Sequence, residues 1–162
     1  MKPSRPVAWL VLALCTAFLV ASCASGPVRR VSDPAARIQQ LAVQADGHWD
    51  VTLRLQNFSS IPMRFDQVEL QLTVAGQDAG TLRAAPSLLI GGESADVAEI
   101  TLAPSANARL AVADALAAGR SVEYTLQGPI TATPDEGKQR RFETDPRRSA
   151  LSPAPGLPGV LR

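Results

Sequence analysis

The sequence predicts an all-β fold, an antiparallel β-sandwich that carries one short amphipathic helix. Apolar and polar residues alternate strictly in two runs, which is typical of strands with one face in a core and the other in water. Turn residues separate seven or so such runs at intervals of about eight to twelve residues, the spacing of a sandwich. The apolar members of the two strongest runs are Val51, Leu53 and Leu55, and then Val68, Leu70, Leu72 and Val74.

Five further runs supply the remaining strands, and the one over residues 121–130 is also strong. We expect them over residues 38–44, 81–84, 96–102, 121–130 and 138–145. The last is rich in charge, which suits an exposed edge of a sheet. In the first, Ile38 is out of phase with Leu41 and Val43, which indicates a bulge or an irregular start. The in-phase residues of the three strongest strands should form the centre of the core: Leu53, Leu55, Leu70, Leu72, Tyr124 and Leu126.

One segment changes to a helical period. Leu110, Ala113 and either Leu116 or Ala117 recur at three- and four-residue spacing, which predicts an amphipathic helix of about three turns. Ser105 can cap its start, and a glycine two residues after Ala117 can take the left-handed conformation that ends a helix. We expect this helix to cover one edge of the core.

Residues 1–22 have the composition of an export signal. Lys2 and Arg5 precede an apolar run that is too short for a comfortable membrane span. The run leads into Val20-Ala21-Ser22-Cys23, which resembles the lipobox of bacterial lipoproteins. That resemblance implies that Cys23 carries a diacylglycerol and further acyl chains such as palmitate. The alternative is a plain secretory leader with an incidental cysteine.

Cys23 is the only cysteine after the leader, so the sequence predicts neither a disulfide framework nor a cysteine metal site. The next residue is Ala24. In the lipoproteins of bacteria that have two membranes, an aspartate directly after the acylated cysteine usually means retention in the inner membrane. The resemblance therefore implies the outer membrane, with the folded part facing the periplasm.

These features divide the chain into four parts. We expect a signal peptide over residues 1–22, a lipidated tether over 23–35, the sandwich over 36–146 and a proline-rich disordered tail over 147–162. Beyond the leader the chain has 14 basic and 15 acidic residues, so its net charge does not favour a nucleic-acid partner. The expected partners are the membrane, through the lipid on Cys23, and another protein of the envelope.

The order of motifs resembles a known family. The motifs are a strand ending in Asn57, a polar corner, Ile61-Pro62, the alternating run over residues 65–75, glycines at 76, 80, 91 and 92, and a strand ending near Leu102. Residues 37–145 thereby resemble the water stress and hypersensitive response (WHy) domain, also called the late embryogenesis abundant type 2 domain, which some bacterial lipoproteins carry singly. Phe58 departs from the family, which usually has proline there.

The resemblance implies an immunoglobulin- or fibronectin-like sandwich and an association with desiccation or stress tolerance. It implies no catalysis and no cofactor. We therefore expect a non-catalytic envelope lipoprotein that supports stress tolerance or envelope integrity. Two alternatives stay open: an adaptor that docks another envelope protein, and a carrier of a small apolar ligand.

Few residues suggest chemistry of their own. His48, between Asp46 and Asp50, could bind a metal or act as a base, but a lone histidine in a turn is more simply a hydrated residue. We expect no metal site and no catalytic residue. A basic cluster could touch anionic lipid or cell-wall polymer, or simply form an exposed face. Its members are Arg140, Arg141, Arg147 and Arg148.

Two loops carry apolar residues that strand alternation does not send inward. They are residues 57–63, with Phe58 and Ile61, and residues 86–92, with Leu88, Leu89 and Ile90. One interpretation is that both tips fold back and plug the open ends of the sandwich. The other is a partner-binding surface, which requires that Phe58 and Leu89 are exposed.

Overall fold

The structure, a computed structural model, describes residues 29–162. The leader and Cys23 lie outside the described residues. Nine strands and one helix follow one another in the described part. They are β1 (Ala35–Val43), β2 (Trp49–Gln56), β3 (Met63–Val74), β4 (Gln77–Ala84), β5 (Leu88–Ile90), β6 (Ala95–Leu102), α1 (Ala106–Ala117), β7 (Val122–Pro134), β8 (Arg140–Leu151) and β9 (Val160–Leu161).

The strands form two antiparallel sheets. One has the order β6-β2-β1-β9, and the other has the order β4-β3-β7-β8, with β5 paired to the start of β3. The inward side chains of both sheets bury a common apolar core. All six residues predicted at its centre are at most 4% exposed. The prediction of an all-β fold with antiparallel sheets and one short helix is confirmed.

The first strand contains the predicted irregularity. The register of β1 against β2 shifts between Ile38 and Gln40. Because one extra residue is inserted there, Ile38 and Leu41 can both point into the core although they are three residues apart. The out-of-phase position of Ile38 in the sequence therefore correctly predicted the bulge.

The helix has the predicted caps but buries a different face. Ser105 Oγ accepts a hydrogen bond from the Ala108 N–H at 3.3 Å, as an N-cap residue does. The buried positions are Ala108, Val112 and Ala115, whereas Leu110 is 70% exposed. The predicted face was wrong at Leu110 and Ala113, although Leu116 is partly buried against the core. The helix packs on β4 and β3 through its smaller side chains, which allow a closer approach to the sheet. No helix among residues 29–162 is long and apolar enough to cross a membrane.

The prediction of a disordered tail over residues 147–162 is wrong. Residues 147–151 continue β8, and Val160–Leu161 forms β9 against Leu41 and Ala42 of β1. Leu151 and Leu161 are both buried, so the segment contributes to the core. The prolines and glycines of this segment form the turn that brings the chain from β8 back to the edge of the first sheet.

The sandwich also begins earlier than predicted. β1 starts at Ala35, and the backbone before it is already bound to the corner after β2. The Arg30 N–H donates to Ser60 Oγ at 2.8 Å, and the Ser32 N–H donates to Ser59 Oγ at 2.9 Å. Residues 30–34 are thus part of the folded domain and not of the tether that was predicted over residues 23–35.

Candidate functional site

Asn57 organises the corner between β2 and β3. Its side chain is fully buried, and its Nδ2 donates to the carbonyl oxygens of Ile61 at 2.9 Å, Ile90 at 3.1 Å and Gly91 at 2.9 Å. Its Oδ1 accepts from the Ser59 N–H at 2.9 Å. A buried amide needs such partners, because an unsatisfied polar group in a core is costly. The two predicted loops are therefore held together at one end of the sandwich.

The second predicted loop is partly a strand. Leu88–Ile90 forms β5 and pairs with the start of β3, so Ile90 points into the core and is buried. Leu88 packs against the core and is partly buried, whereas Leu89 is 70% exposed. The alternation of three residues in a short strand explains this difference. All three residues were thus wrongly expected in a loop, and of the three only Leu89 is exposed as the partner-binding interpretation requires.

The first predicted loop keeps its corner conformation. Ile61 is partly buried, and the Phe58 side chain is 46% exposed. Gly92 approaches this corner so closely that a Cβ atom there would lie 2.6 Å from the Ser60 carbonyl oxygen. Of the five candidate partner-binding residues, only Phe58 and Leu89 have largely exposed side chains.

The outer edge of β1 is divided into two halves. We call Leu41–Val43 the sealed half, because β9 pairs with it and the Val43 N–H donates to the Gly159 carbonyl oxygen at 2.8 Å. We call residues 35–38 the open half, because β9 ends before it. In the open half the Ile38 N–H donates to the Tyr124 hydroxyl oxygen at 3.1 Å, across to the other sheet.

A groove of about 420 Å³ runs along the open half, between β1 and the β7–β8 edge of the second sheet. We call it the arginine groove, because four of its lining residues are arginines and none is acidic. Its apolar lining includes Phe58, Tyr124 and Leu126. The four arginines are Arg37, Arg54, Arg147 and Arg148.

Two of these arginines stand directly opposite each other. Arg37 of β1 and Arg54 of β2 are cross-strand partners in the antiparallel register. Like charges in such positions repel and weaken the pairing of two strands. Among the described residues, neither has an acidic partner within 4.0 Å. The fold thus brings two uncompensated guanidinium groups to one wall of the groove.

The other wall is the edge strand β8. Arg147 is the cross-strand partner of Leu126, whose side chain is buried, and within residues 29–162 no carboxylate lies within ion-pair distance of Arg147. Arg148 reaches Glu123 only at 3.9 Å. Because exposed ion pairs at that distance are weak, Arg148 is also nearly free to bind an anion. The groove therefore has positive charge on both walls.

An acidic pocket adjoins the arginine groove. This smaller space of about 110 Å³ shares Phe58, Leu126 and Arg147 with the groove but is also lined by carboxylates. The carboxylates are those of Asp33, Glu143 and Asp145. They repel anions, so they limit an anionic ligand to the arginine side of the groove.

Other titratable groups have local structural roles. The backbone N–H of His48 donates to the Asp46 carboxylate at 3.0 Å, and the Nδ1 of the His48 ring lies 3.0 Å from the same carboxylate. These contacts hold the pKa of Asp46 below its ordinary value, and the backbone hydrogen bond has the largest effect. Burial alone would raise the pKa of Asp66, but hydrogen bonds from Thr133, Arg64 and Gln139 outweigh it and lower that pKa. Among residues 29–162, no group of three histidine, cysteine, aspartate or glutamate side chains could hold a metal ion.

The sequence matches no protein-family profile and no curated protein. Solved structures with a similar chain trace include a protein from Archaeoglobus fulgidus, at 12% identity and a TM-score of 0.42, over 77% of this chain and 98% of that one. AT1g01470 from Arabidopsis thaliana is 13% identical with a TM-score of 0.45, over 79% and 83%. A Bordetella pertussis protein is 10% identical with a TM-score of 0.46, over 81% and 100%.

Two of the four arginines that line the arginine groove were predicted from the sequence. Arg147 and Arg148 stood out as part of a basic cluster, but Arg140 and Arg141 of that cluster do not line the groove. Arg37 and Arg54 were missed, because only the antiparallel register of β1 and β2 makes them neighbours. Arg54 had an outward position in a predicted strand, whereas Arg37 precedes the strand that was predicted over residues 38–44.

Proposed function

We propose that this chain is a non-catalytic lipoprotein of the bacterial envelope, held in the outer membrane by acyl chains on Cys23. Its folded part would be a fibronectin-like sandwich of the WHy type that supports stress tolerance or envelope integrity. The observation that carries this proposal is the lipobox-like Val20-Ala21-Ser22-Cys23 directly after a basic and apolar leader.

The position at which the chain enters the folded domain supports an anchor that holds the domain close to the membrane. Arg30 is bound to Ser60 of the corner, and it follows Cys23 by only seven positions in the sequence. Seven residues of extended chain span at most about 25 Å. With acyl chains on Cys23, the corner end of the sandwich would therefore stay near the membrane surface and its loops would face the headgroups.

Acylation is tested by labelling. Cells that express the full chain are grown with radiolabelled palmitate, and the label on the protein is measured for wild type, Cys23→Ser and the matched control Cys15→Ser. We expect label on wild type and on Cys15→Ser, and loss of label together with release from membranes or failed processing for Cys23→Ser. Label on Cys23→Ser would contradict the proposal.

The physiological role is tested by deletion. A clean deletion strain is compared with wild type for survival of drying, osmotic shock and detergent, and it is complemented with wild type or with Cys23→Ser. We expect reduced survival that only the acylated protein restores. Equal survival of the deletion and wild-type strains under all three conditions would remove the stress role.

An adaptor is the second candidate, and the exposure of Leu89 on β5 favours it. Mild crosslinking in cells followed by purification identifies neighbouring envelope proteins. Leu89→Ser should abolish such a crosslink, with Leu110→Ser as a matched control, because both leucines are 70% exposed. Neither change should alter the melting temperature measurably. Crosslinks that survive in Leu89→Ser would exclude this face as the docking surface.

A further inference from the structure

We propose that the arginine groove binds the phosphate headgroup of a membrane phospholipid. This inference rests on the proposed anchor at Cys23, which would hold the groove near the bilayer. It goes beyond that anchor because it assigns a second, non-covalent lipid contact to the folded domain.

The charges of the groove point to an oxyanion. Arg37 and Arg54 are opposed in the register, and among the described residues neither is neutralised by a carboxylate. An anion that bridges them replaces a repulsion with two charge-assisted interactions. Guanidinium groups present several donors in a planar fork that matches phosphate oxygens. Arg147 can add a third guanidinium from the opposite wall.

The apolar lining points to an amphiphile and not to a free anion. Phe58 is 46% exposed and lines the groove together with the arginines and the partly buried Ala36. A phosphate ester that continues into a glycerol and the first carbons of acyl chains would cover this apolar surface. A wholly apolar ligand fits less well, because it would remove guanidinium groups from water without replacing their hydrogen bonds.

The position of the groove identifies the membrane as the source. Ala35 and Ala36 line it, and Ala35 follows Cys23 by 12 residues, or at most about 43 Å of extended chain. The Arg30–Ser60 hydrogen bond fixes the chain at a point nearer to Cys23 in the sequence, at the corner that carries Phe58. For a lipid-anchored protein, the phosphate layer of the bilayer is the densest source of oxyanions within this reach.

The test measures the phospholipid that remains bound to the processed full chain after purification in a nonionic detergent. Wild type is compared with the double variant Arg54→Gln/Arg147→Gln and with the control double variant Arg83→Gln/Arg120→Gln, whose arginines lie outside the arginine groove. We expect about one phospholipid per wild-type and per control protein, and a loss of about tenfold or more in the groove variant. Thermal melting checks that all three proteins are folded. Equal retention in the groove variant and the control, or no phospholipid on wild type, would overturn the proposal.

Competition identifies the part of the lipid that is recognised. Dihexanoyl phosphatidylglycerol should displace the bound lipid from wild type, whereas dihexanoylglycerol, which lacks the phosphate, should not. If inorganic phosphate or a hexaglutamate peptide displaces the lipid at equal or lower concentration, the groove is a general anion or acidic-peptide site and the lipid assignment is wrong. Phe58→Ala should weaken binding of the dihexanoyl lipid without affecting binding of phosphate.

The same purified protein separates this proposal from the proposed function. Its intact mass shows whether Cys23 is acylated. An acylated wild-type protein without phospholipid would overturn the headgroup site and leave the anchor standing. A protein without acyl chains would contradict the proposed function, whatever the groove binds.

Discussion

The two halves of the outer edge of β1 are protected in different ways. The sealed half is covered by the chain's own C-terminal strand, with Leu161 fully buried against Leu41. Among residues 29–162, no strand pairs with the outer edge of the open half, and Tyr124 of β7 and Arg147 and Arg148 of β8 lie across the groove from it. Since β1 is one continuous strand, the difference comes from where β9 ends and where the bulge after Ile38 lies.

This difference shows how an edge strand can be protected in two ways. Unpaired backbone groups at an edge invite pairing with other chains, and proteins suppress this by covering the edge, by charge or by bulges. The sealed half uses cover. The open half uses the bulge, arginines and a tyrosine hydroxyl that satisfies the Ile38 N–H. The second solution leaves the arginine groove beside the strand.

The largest effect should come from the core that both halves share. Leu70 is fully buried in the middle of β3, and we expect Leu70→Ala to lower the free energy of unfolding by about 2–5 kcal/mol, because it leaves a cavity. Urea denaturation measures the loss. Leu110→Ala, the same truncation at a 70% exposed site on α1, should change the value by less than about 0.5 kcal/mol. Similar losses for the two variants would contradict the assignment of the core.

The sealed half should follow closely. Leu161→Ala removes the buried side chain of β9, and we expect a loss near the lower end of the range for buried leucines, about 2 kcal/mol, because the strand is only two residues long. Leu157→Ala is the matched control in the same segment, since Leu157 is 44% exposed and precedes the strand. If both variants melt like wild type, β9 does not seal the edge.

The open half depends on one hydrogen bond. Tyr124→Phe removes the hydroxyl that accepts from the Ile38 N–H, and an unsatisfied buried N–H costs about 1–3 kcal/mol. We expect lower stability and faster amide exchange at Ile38, with no change at Val43 of the sealed half. Exchange that rises equally at both amides would show that the two halves open together.

The smallest effect should have the opposite sign. In the absence of ligand, Arg54→Gln removes the cross-strand repulsion with Arg37, so we expect it to raise stability by about 0.2–1 kcal/mol, and less so at high salt. Arg83→Gln is the control, because Arg83 is paired with Glu69 and its loss cannot relieve a repulsion. A destabilised Arg54→Gln would mean that Arg54 already has a favourable partner.

Strands whose own side chains alternate were predictable, and segments defined by a distant partner were not. The period of residues such as Leu53 and Leu70 shows their buried face without knowledge of the fold. Val160–Leu161 is too short to show a period, and its partner Leu41 lies 120 residues earlier in the chain. The same holds for β5, whose three residues form a strand only because β3 offers an edge.

The prediction of the candidate site residues was limited in the same way. Phe58, Leu89 and Cys23 were predicted as candidates from local patterns, which are apolar residues in loops for the first two and a resemblance to a lipobox for Cys23. The arginine groove was not, because it joins four separate segments around Arg37, Arg54, Tyr124 and Arg147. The helix face was missed for a different reason: hydrophobicity favoured Leu110, whereas close packing selected Ala108 and Ala115.

The division of the β1 edge is tested most directly by amide hydrogen exchange on the full chain. We expect slow exchange in the sealed half at Val43, and also at Ser152 and Arg162, whose backbone groups form two mutual hydrogen bonds of 2.6 and 2.8 Å. Removal of residues 152–162 should expose the Val43 amide, while the Ile38 amide stays protected by Tyr124. If the amides of residues 152–162 exchange at the rate of an unfolded chain and the truncation leaves Val43 unchanged, then β9 does not seal the edge of β1.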